Sequence, residues 1–430
     1  MGLIVTVIMK NEKNTKKNIA ILVQQGVGGG AQRMAANQTL VFDKDYNVYF
    51  VLFEKNDDIY EHGGSLVDMN MPPLKTATIF RRVMNTVNRT IYLAKFKKEK
   101  KLDAVISHLD GANLVNVLSG RCGKKCRVIC VYHSMPSANE NPTLVHRLFH
   151  QFIGRFSDRY VMVSKLAALD MMKNFGVKRK DLSVIHNFSD NQKIAGLKDQ
   201  TLPAAAQDFV KAHSKIIITV GRLTLVKRQE RLIKLLKKLR NEEGLEDTGL
   251  MILGDGPQKE FLQEVTDDNE LDSHVYMPGN VDNPFMYIAR SDVFVLCSDY
   301  EGLPMALTEA VACGCPVVSC DMKSGAREIL APDTDVMKVA DRIEYAKYGI
   351  LTRPFENKAN ADETFGEAKE ADKEEILKED EAASSALFEG VMLMLTDERL
   401  ADAYKKSCPE CAGLFGVDNI VRRWKMLIQK

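Results

Sequence analysis

Two glutamates flank a predicted helix start in the second half of the chain. Glu301 and Glu309 are separated by seven residues in SDYEGLPMALTEAVACG, where EGLP predicts an open loop and MALTEAVAC predicts a helix. A helix N-terminus presents free N–H groups that favour an anion, and Pro304 suits the first helical turn. Glu309 can accept hydrogen bonds from the vicinal hydroxyls of a ribose. The pair suits the two ends of a bound nucleotide-sugar, but two solvated acids beside a helix start would produce the same pattern.

A basic turn precedes this pair in the sequence VGRLTLVKRQE. Gly221 ends a predicted strand, and Arg222 and Lys227 follow within the turn. A glycine at the carboxyl end of a strand lets a phosphate approach the backbone. Arginine offers a planar fork to phosphate oxygens and lysine a point charge. The turn therefore indicates a phosphate site, with solvated basic residues as the plainer interpretation.

A glycine-rich turn in the first half, QQGVGGGAQR, follows the apolar run IAILV at 19–23. Gly26, Gly28 and Ala31 match the G-x-G-x-x-G/A dinucleotide fingerprint, and Glu54 stands near the position of a ribose-binding acid. A nicotinamide or flavin enzyme is therefore one interpretation, although it leaves the second half of the chain unexplained. The other is a cleft floor where a diphosphate and an acceptor approach small residues, namely Gly28, Gly29 and Gly30.

The elements that must position these residues alternate between short apolar runs and helical patterns, which predicts parallel sheets in an α/β protein. Most runs are continuously apolar, as in strands covered on both faces. A stretch without strand signal at 190–213 divides them, so the sequence predicts two doubly wound domains. The predicted strands are 19–23, 47–53, 103–109, 127–133, 158–164, 182–186, 215–222, 249–256, 274–279, 292–298 and 315–321.

The ordered set of motifs resembles the retaining glycosyltransferases of family 4, which have the GT-B fold. Glu301 and Glu309 match the E-x7-E signature of that family. The departures are His186, where the family usually has proline, and Gln32, where it often has glutamate. The resemblance weakens at 57–102 and fails at 356–381. The other matching motifs are GGGAQR at 28–33, VYHS at 131–134, MVSK at 162–165, VIHNFSD at 184–190, VGRL…K at 220–227, LGDGP at 253–257 and YMPGNVDN at 276–283.

The resemblance implies two Rossmann-like domains that face each other across a cleft. Residues 1–195 would bind the acceptor, residues 196–412 would bind the nucleotide-sugar and carry an acidic insert at 356–381, and the helix at 413–430 would cross back. The implied catalytic residues are Glu301, His133, Arg222 and Lys227. The implied donor-binding residues are Gly29, Gly30, Gly221, Arg222, Lys227, Gly302, Leu303, Pro304, Met305, Ala306 and Glu309.

The implied activity is that of a hexosyltransferase-type enzyme, which transfers a sugar from a nucleoside diphosphate with retention and without a metal. We expect no cofactor, a UDP-sugar donor and a lipid-linked or surface-polysaccharide acceptor. The Asp-x-Asp sequences at 43–45 and 333–335 could suggest a metal site. Both stand in polar, turn-like stretches, so we interpret them as surface turns. A sugar-nucleotide epimerase or hydrolase on the same fold, or a non-catalytic nucleotide-sugar-binding relative, are the alternatives.

The remaining features of the sequence limit which partners the protein is expected to bind and where in the cell it is expected to act. A net charge of +1 predicts no general attraction to nucleic acid. The segment at 75–101 is basic and amphipathic, which favours peripheral contact with an anionic membrane or an ordinary helix with a solvated basic face. Nine cysteines without a metal-ligand pattern favour reduced thiols. We therefore expect a cytoplasmic protein, at the inner face of the plasma membrane if the segment binds lipid.

Overall fold

The computed structural model describes residues 16–72, 78–120, 126–135, 137, 142–242, 244–322, 325–356 and 380–429. Residues 357–379 of the predicted acidic insert and residues 75–77 of the basic segment lie outside them. Within the described residues, the strands form two seven-stranded sheets, one in each half of the chain. We call these sheets, with their helices, the first and second domains. The predicted class of two doubly wound α/β domains is confirmed.

The first domain contains β1 (Asn18–Gln25), β2 (Asn47–Glu54), β3 (Ser65–Asp68), β4 (Ala104–His108), β5 (Arg127–Tyr132), β6 (Arg159–Met162) and β7 (Leu182–Val184). The order across the sheet is β3-β2-β1-β4-β5-β6-β7, and neighbouring strands pair in parallel. Its helices are α1 (Gly30–Phe42), α2 (Ile79–Glu99), α3 (Asp110–Ser119), α4 (Leu144–Phe156), α5 (Lys165–Phe175) and α6 (Asn191–Leu197).

The second domain contains β8 (Lys215–Val220), β9 (Thr248–Leu253), β10 (Val275–Gly279), β11 (Val293–Leu296), β12 (Val317–Cys320), β13 (Ile343–Ala346) and β14 (Gly349–Thr352). Their order is β10-β9-β8-β11-β12-β14-β13, and only the last pair is antiparallel. Its helices are α7 (Ala204–Ala212), α8 (Glu230–Leu239), α9 (Lys259–Asp268), α10 (Phe285–Ile288), α11 (Met305–Cys313), α12 (Ala326–Leu330), α13 (Glu381–Thr396) and α14 (Glu398–Leu414). The final helix is α15 (Val417–Gln429).

The continuous apolar runs have a direct structural cause in β1. Ile19, Ile21 and Val23 pack into a core on one face of the sheet, whereas Ala20 and Leu22 pack into the core on the other face. Helices therefore cover both faces, and no position from Ile19 to Val23 is left for a solvated side chain. The loops at the carboxyl ends of the strands remain open, which is where ligands bind in such sheets.

Every predicted strand is present, but the sequence did not predict β3, β13 or β14. β3 has four residues at a sheet edge and is largely half-buried or exposed, so its apolar signal is weak. β13 and β14 form a hairpin in which Ala346 pairs with Gly349, and only Lys347 and Tyr348 lie between them. That loop lacks the Asn-Gly or Gly-X sequence by which a tight hairpin is recognised.

The chain passes between the domains in two places. The predicted boundaries at residues 195 and 412 fall inside α6 and α14. The final helix, α15, contacts the first domain: Lys425 pairs with Asp45 at 2.7 Å, and Arg423 donates to the carbonyl oxygen of Val184 at 2.6 Å. Trp424 is a buried residue of this helix. In the described part of the chain, no helix combines the length and apolarity that a membrane crossing requires.

Candidate active site

The structure brings Lys227 and Glu301 together at the carboxyl ends of β8 and β11. Lys227 ends a short 3-10 turn, and Glu301 lies in the loop before α11. The Lys227 ammonium donates to Oε1 of Glu301, and Ser298 Oγ donates to the same oxygen at 3.2 Å. Gly221 lies beside the stem of Lys227, where an added Cβ would be 3.8 Å from Cε. The two predicted site regions therefore form one cluster.

Helix α11 begins next to this cluster. Pro304 directly precedes its first residue, Met305, so no proline nitrogen interrupts the helix. Glu309 lies on α11, is buried, and its Oε1 is 3.2 Å from Arg33 Nη2 of the first domain. Glu301 and Glu309 thus have different cationic partners, and Arg33 was not predicted as a site residue.

The two domains touch where Gly302 meets His133. His133 directly follows β5, and a Cβ added to Gly302 would overlap its carbonyl oxygen. On the other side of the loop, Gly325 N donates to the carbonyl oxygen of Gly302 at 3.2 Å, and a Cβ at Gly325 would overlap the Leu303 side chain. The loop before α11 is therefore held between a first-domain strand end and the turn before α12.

The glycine-rich turn leaves room at the start of α1. Gly28 has a φ of +128°, a backbone conformation that residues with a side chain rarely adopt. Gly29 N donates to Oε1 of Gln32 at 3.1 Å, so the glutamine that replaces the usual glutamate caps the helix. A Cβ added to Gly30 would meet nothing within 4 Å. Space for a ligand therefore exists beside Gly30.

Buried charges behind the site fix the basic turn to the loop that carries Glu301. Arg228 has a φ of +53°, and its Nε donates to Asp299 at 2.8 Å. Arg231 Nη2 lies 2.8 Å from the other oxygen of this carboxylate. Burial, reinforced by Asp299 and Glu301, raises the pKa of Tyr300 to about 12. Arg228, Arg231 and Asp299 were not predicted as site residues, although the run of basic residues in VKRQER is visible in the sequence.

Arg222 lies in the same turn as Lys227. Its side chain is exposed, and its carbonyl oxygen accepts from Gln229 Nε2 at 3.2 Å. Its predicted contact with a phosphate stays a prediction.

A second contact between the domains centres on the buried carboxylate of Glu328 on α12. It accepts hydrogen bonds from the backbone N–H groups of Lys165 and Leu166 at the start of α5, both at 2.9 Å. His186 Nε2 lies 2.9 Å from the same carboxylate. Burial would raise the pKa of Glu328, but His186 and the two backbone donors overcome that effect and lower it. His186, which stands where the family usually has proline, thus contacts Glu328 of the second domain.

Acidic, cysteine and histidine side chains can also hold metals. Among the described residues, no group of three or more of these side chains is arranged to hold a metal ion. The cysteines within those residues are unpaired with one another and buried, namely Cys126, Cys130, Cys297, Cys313, Cys315, Cys320, Cys408 and Cys411.

Two family models match consecutive parts of the chain. The model described as Glycosyltransferase Family 4 matches residues 28–193, and the model described as Glycosyl transferases group 1 matches residues 204–347. The chain belongs to the family 4 glycosyltransferases. The first model covers the glycine turn and His133, and the second covers Lys227, Glu301 and Glu309.

Individual relatives agree with this assignment. An uncharacterized glycosyltransferase of Methanocaldococcus jannaschii is 28% identical over 353 residues, which are 80% of this chain and 83% of that protein. A 4-alpha-N-acetylgalactosaminyltransferase of Campylobacter jejuni, named for a diphospho-undecaprenol substrate, is 25% identical over 415 residues, or 94% of this chain and 98% of the relative.

The solved structure of Anabaena HepE in complex with UDP and glucose has the same fold. Its TM-score is 0.67 at 15% identity, and the match covers 96% of this glycosyltransferase and 99% of that chain. The predicted GT-B fold is therefore confirmed.

Proposed function

We propose that this glycosyltransferase transfers a sugar, with retention and without a metal, from a UDP-sugar to a hydroxyl of a lipid-linked or surface-polysaccharide acceptor. The observation that carries the proposal is the cluster of Lys227 and Glu301 beside the start of α11. It unites a cation, a carboxylate and free helix N–H groups at one point of the cleft.

The diphosphate would lie between the basic turn and α11. Gly221 leaves the backbone accessible there, and Lys227 supplies a positive charge beside it. Negative charge grows on the leaving phosphate as the glycosidic bond breaks, and preorganised cations and N–H groups stabilise it. Arg222 and the backbone N–H groups of Leu303, Met305 and Ala306 complete the proposed phosphate site. Lys227 would exchange part of its contact with Glu301 for the phosphate.

The two carboxylates would bind different parts of the donor. Glu309, one turn into α11, would accept hydrogen bonds from the ribose diol, and Glu301 would bind hydroxyls of the transferred sugar. A glycosidase uses its two carboxylates as acid and nucleophile. In the proposed reaction, the leaving phosphate instead takes the proton of the acceptor hydroxyl on the face from which it departs, so the anomeric configuration is retained.

The donor base and the acceptor class are proposed from the relatives. Anabaena HepE was solved with UDP and glucose. The Campylobacter relative is named for a substrate linked to undecaprenol by a diphosphate. A lipid-linked acceptor of this kind would bring the enzyme to a membrane surface.

Helices α2 and α4 offer a surface for that contact. Both pack against α3, so they share one face of the first domain. Ile79 and Phe80 at the start of α2 are 81% and 71% exposed, and Leu144 at the start of α4 is 72% exposed. Exposed basic residues accompany them, namely Arg81, Arg82, Lys95, Lys98 and Arg147. We propose that this face binds anionic lipid headgroups at the cytoplasmic surface of the membrane.

Ligand-induced thermal stabilisation tests the donor site, because a ligand of the folded state raises the melting temperature. We expect UDP to stabilise the enzyme more than GDP, ADP or NAD, and expect Glu309→Ala and Arg222→Ala to reduce the shift. Arg399→Ala, an exposed arginine on α14, is the control for lost surface charge. A shift with NAD alone would contradict the proposal.

Product analysis separates transfer from the alternatives. We expect free UDP to form only when a UDP-sugar and an acceptor are both present. Release of UDP without an acceptor would indicate a hydrolase. Binding without turnover in the presence of any lipid-linked or polysaccharide acceptor would indicate a non-catalytic relative.

A further inference from the structure

Three side chains form a line of hydrogen bonds that leads from the first-domain core to the cleft. His108 ends β4 and is fully buried. Its Nε2 lies 3.1 Å from Oε1 of the buried Gln38 on α1, and its Nδ1 lies 2.7 Å from Nε2 of His133. His133 is the residue whose carbonyl oxygen faces Gly302. The line therefore ends beside the loop that carries Glu301.

Both imidazole rings are neutral near pH 7. Burial lowers the pKa of His133 to about 4. Burial also lowers the pKa of His108 well below its ordinary value, and the neighbouring ring of His133 adds to the effect. A neutral imidazole carries one N–H and one lone pair, so each hydrogen bond in the line has a defined direction.

The oxygen of Gln38 sets that direction. A carbonyl oxygen only accepts, so the proton of His108 lies on Nε2 and its Nδ1 carries a lone pair. The hydrogen bond at 2.7 Å then requires a proton on Nε2 of His133. The second nitrogen of His133, Nδ1, is left with a lone pair.

Among the described residues, that last nitrogen has no hydrogen-bond partner, although it is buried. Buried polar atoms without partners are uncommon in folded proteins. A lone pair in this place, beside the interdomain loop, suits the hydroxyl hydrogen of a ligand.

We propose that Gln38 and His108 are positioning residues that hold His133 as the Nε2–H tautomer, so that its Nδ1 accepts a hydrogen bond from a hydroxyl of the sugar substrate. The hydrogen bond between His133 and the sugar hydroxyl rests on the proposed function. The positions of the protons on His108 and His133 do not depend on that function, since they follow from the hydrogen bonds among Gln38, His108 and His133.

Nitrogen NMR of histidine-labelled enzyme tests the tautomer without a substrate. Two-bond nitrogen–proton couplings distinguish a protonated ring nitrogen from one with a lone pair, and the signals that disappear in His133→Asn assign that ring. We expect a lone pair on Nδ1 and a proton on Nε2 of His133. The reverse pattern in the wild-type enzyme would overturn the proposal.

Variants of Gln38 test the origin of the tautomer. Gln38→Leu removes the acceptor, so we expect His133 to lose its preference for the Nε2–H form. Gln38→Glu keeps an oxygen acceptor and should keep the wild-type pattern. Thr39→Val changes the adjacent buried residue, whose hydroxyl binds backbone groups only, and is the control for a general loss of stability. An unchanged tautomer in Gln38→Leu would exclude the positioning role.

Kinetics tests the contact with the sugar. We expect kcat/KM for transfer to fall about tenfold in Gln38→Leu, the loss expected for one hydrogen bond, and to recover in Gln38→Glu. Thr39→Val should stay near the wild-type value. Altered tautomers with unchanged kcat/KM would overturn the hydroxyl contact. A wild-type enzyme that transfers no sugar would refute the proposed function, while the NMR result would still decide the tautomer.

Discussion

Arg33 in the first domain and Glu309 in the second form an ion pair across the cleft, with Nη2 and Oε1 3.2 Å apart. The guanidinium lies beside the glycine-rich turn, and the carboxylate is one turn into α11. Because we propose that Glu309 binds the ribose of the donor, this pair links the donor site to the position of the first domain.

The two partners should contribute unequally to nucleotide binding. We expect Arg33→Ala to change the Kd for UDP by less than about fivefold, because a partly exposed ion pair contributes about 0–1 kcal/mol. Glu309→Gln should weaken binding by about tenfold or more, since it removes a charge-assisted hydrogen bond worth about 1.5–3 kcal/mol. Isothermal titration calorimetry measures both constants. Equal losses would mean that the ion pair, and not a ribose contact, determines affinity.

Two glycines at the cleft should respond differently to a methyl group. In Gly30→Ala the methyl group meets no protein atom within 4 Å, so the free energy of unfolding should change by less than about 1 kcal/mol. We nevertheless expect kcat/KM to fall about tenfold, because the methyl would occupy space proposed for the donor or acceptor.

Gly302→Ala is the contrasting variant. Its methyl group would overlap the carbonyl oxygen of His133, a backbone atom that cannot rotate away. We expect the free energy of unfolding to fall by about 2 kcal/mol and transfer to be lost. Denaturation and kinetic assays on both variants check this contrast. A Gly30→Ala enzyme with wild-type kcat/KM would remove Gly30 from the proposed site.

Much of the fold was predictable because its signals are local. The strands β1, β8 and β11 each contain a continuous apolar run, since helices cover both faces of each sheet. The proximity of Lys227 and Glu301 was also predictable, because both follow strands whose carboxyl ends meet at one edge. The hairpin of β13 and β14 was missed because its two-residue loop has no typical turn sequence.

The contacts between the domains were not predictable in this way. Glu328 binds His186 and the start of α5, residues more than a hundred positions earlier in the chain. Arg33 and Glu309 are still farther apart in sequence. No periodicity or spacing connects such residues, because their proximity depends on how one domain packs against the other.

The Glu328 contact should make stability depend on pH in the acidic range. The pKa of Glu328 lies below its ordinary value of 4.5 in the folded protein. Its carboxylate therefore contributes stability that is fully present above pH 4.5 and is lost as the pH falls through the folded pKa. Glu328→Gln should lower the free energy of unfolding by about 3 kcal/mol at pH 7, because the amide cannot satisfy three donors.

Urea denaturation at several pH values measures this effect. The difference between the wild type and Glu328→Gln should shrink as the pH falls below 4.5. Glu398→Gln, an exposed glutamate at the start of α14, is the matched control and should show no such trend. A difference that stays constant from pH 7 to the acid limit would rule out the charged carboxylate as its cause.

The face formed by α2 and α4 should bind vesicles through both its apolar and its basic residues. We expect sedimentation with vesicles that contain phosphatidylglycerol and weaker sedimentation with phosphatidylcholine alone. Phe80→Ser and Leu144→Ser should each weaken binding about tenfold, because burying such a side chain contributes about 1.5–3 kcal/mol. Added salt should weaken the wild-type interaction by screening the basic residues.

A matched variant distinguishes binding through this face from nonspecific adsorption to vesicles. Met426 on α15 is also exposed, and α15 packs into a different core from α2 and α4, so Met426→Ser should bind as the wild type does. Two basic residues of the segment are not available for lipid: Lys97 binds Asn116 in the core, and Arg89 binds the carbonyl oxygen of Met71. Their substitution should destabilise the fold instead. Equal binding by the wild type, Phe80→Ser and Leu144→Ser would place any membrane contact elsewhere on the enzyme.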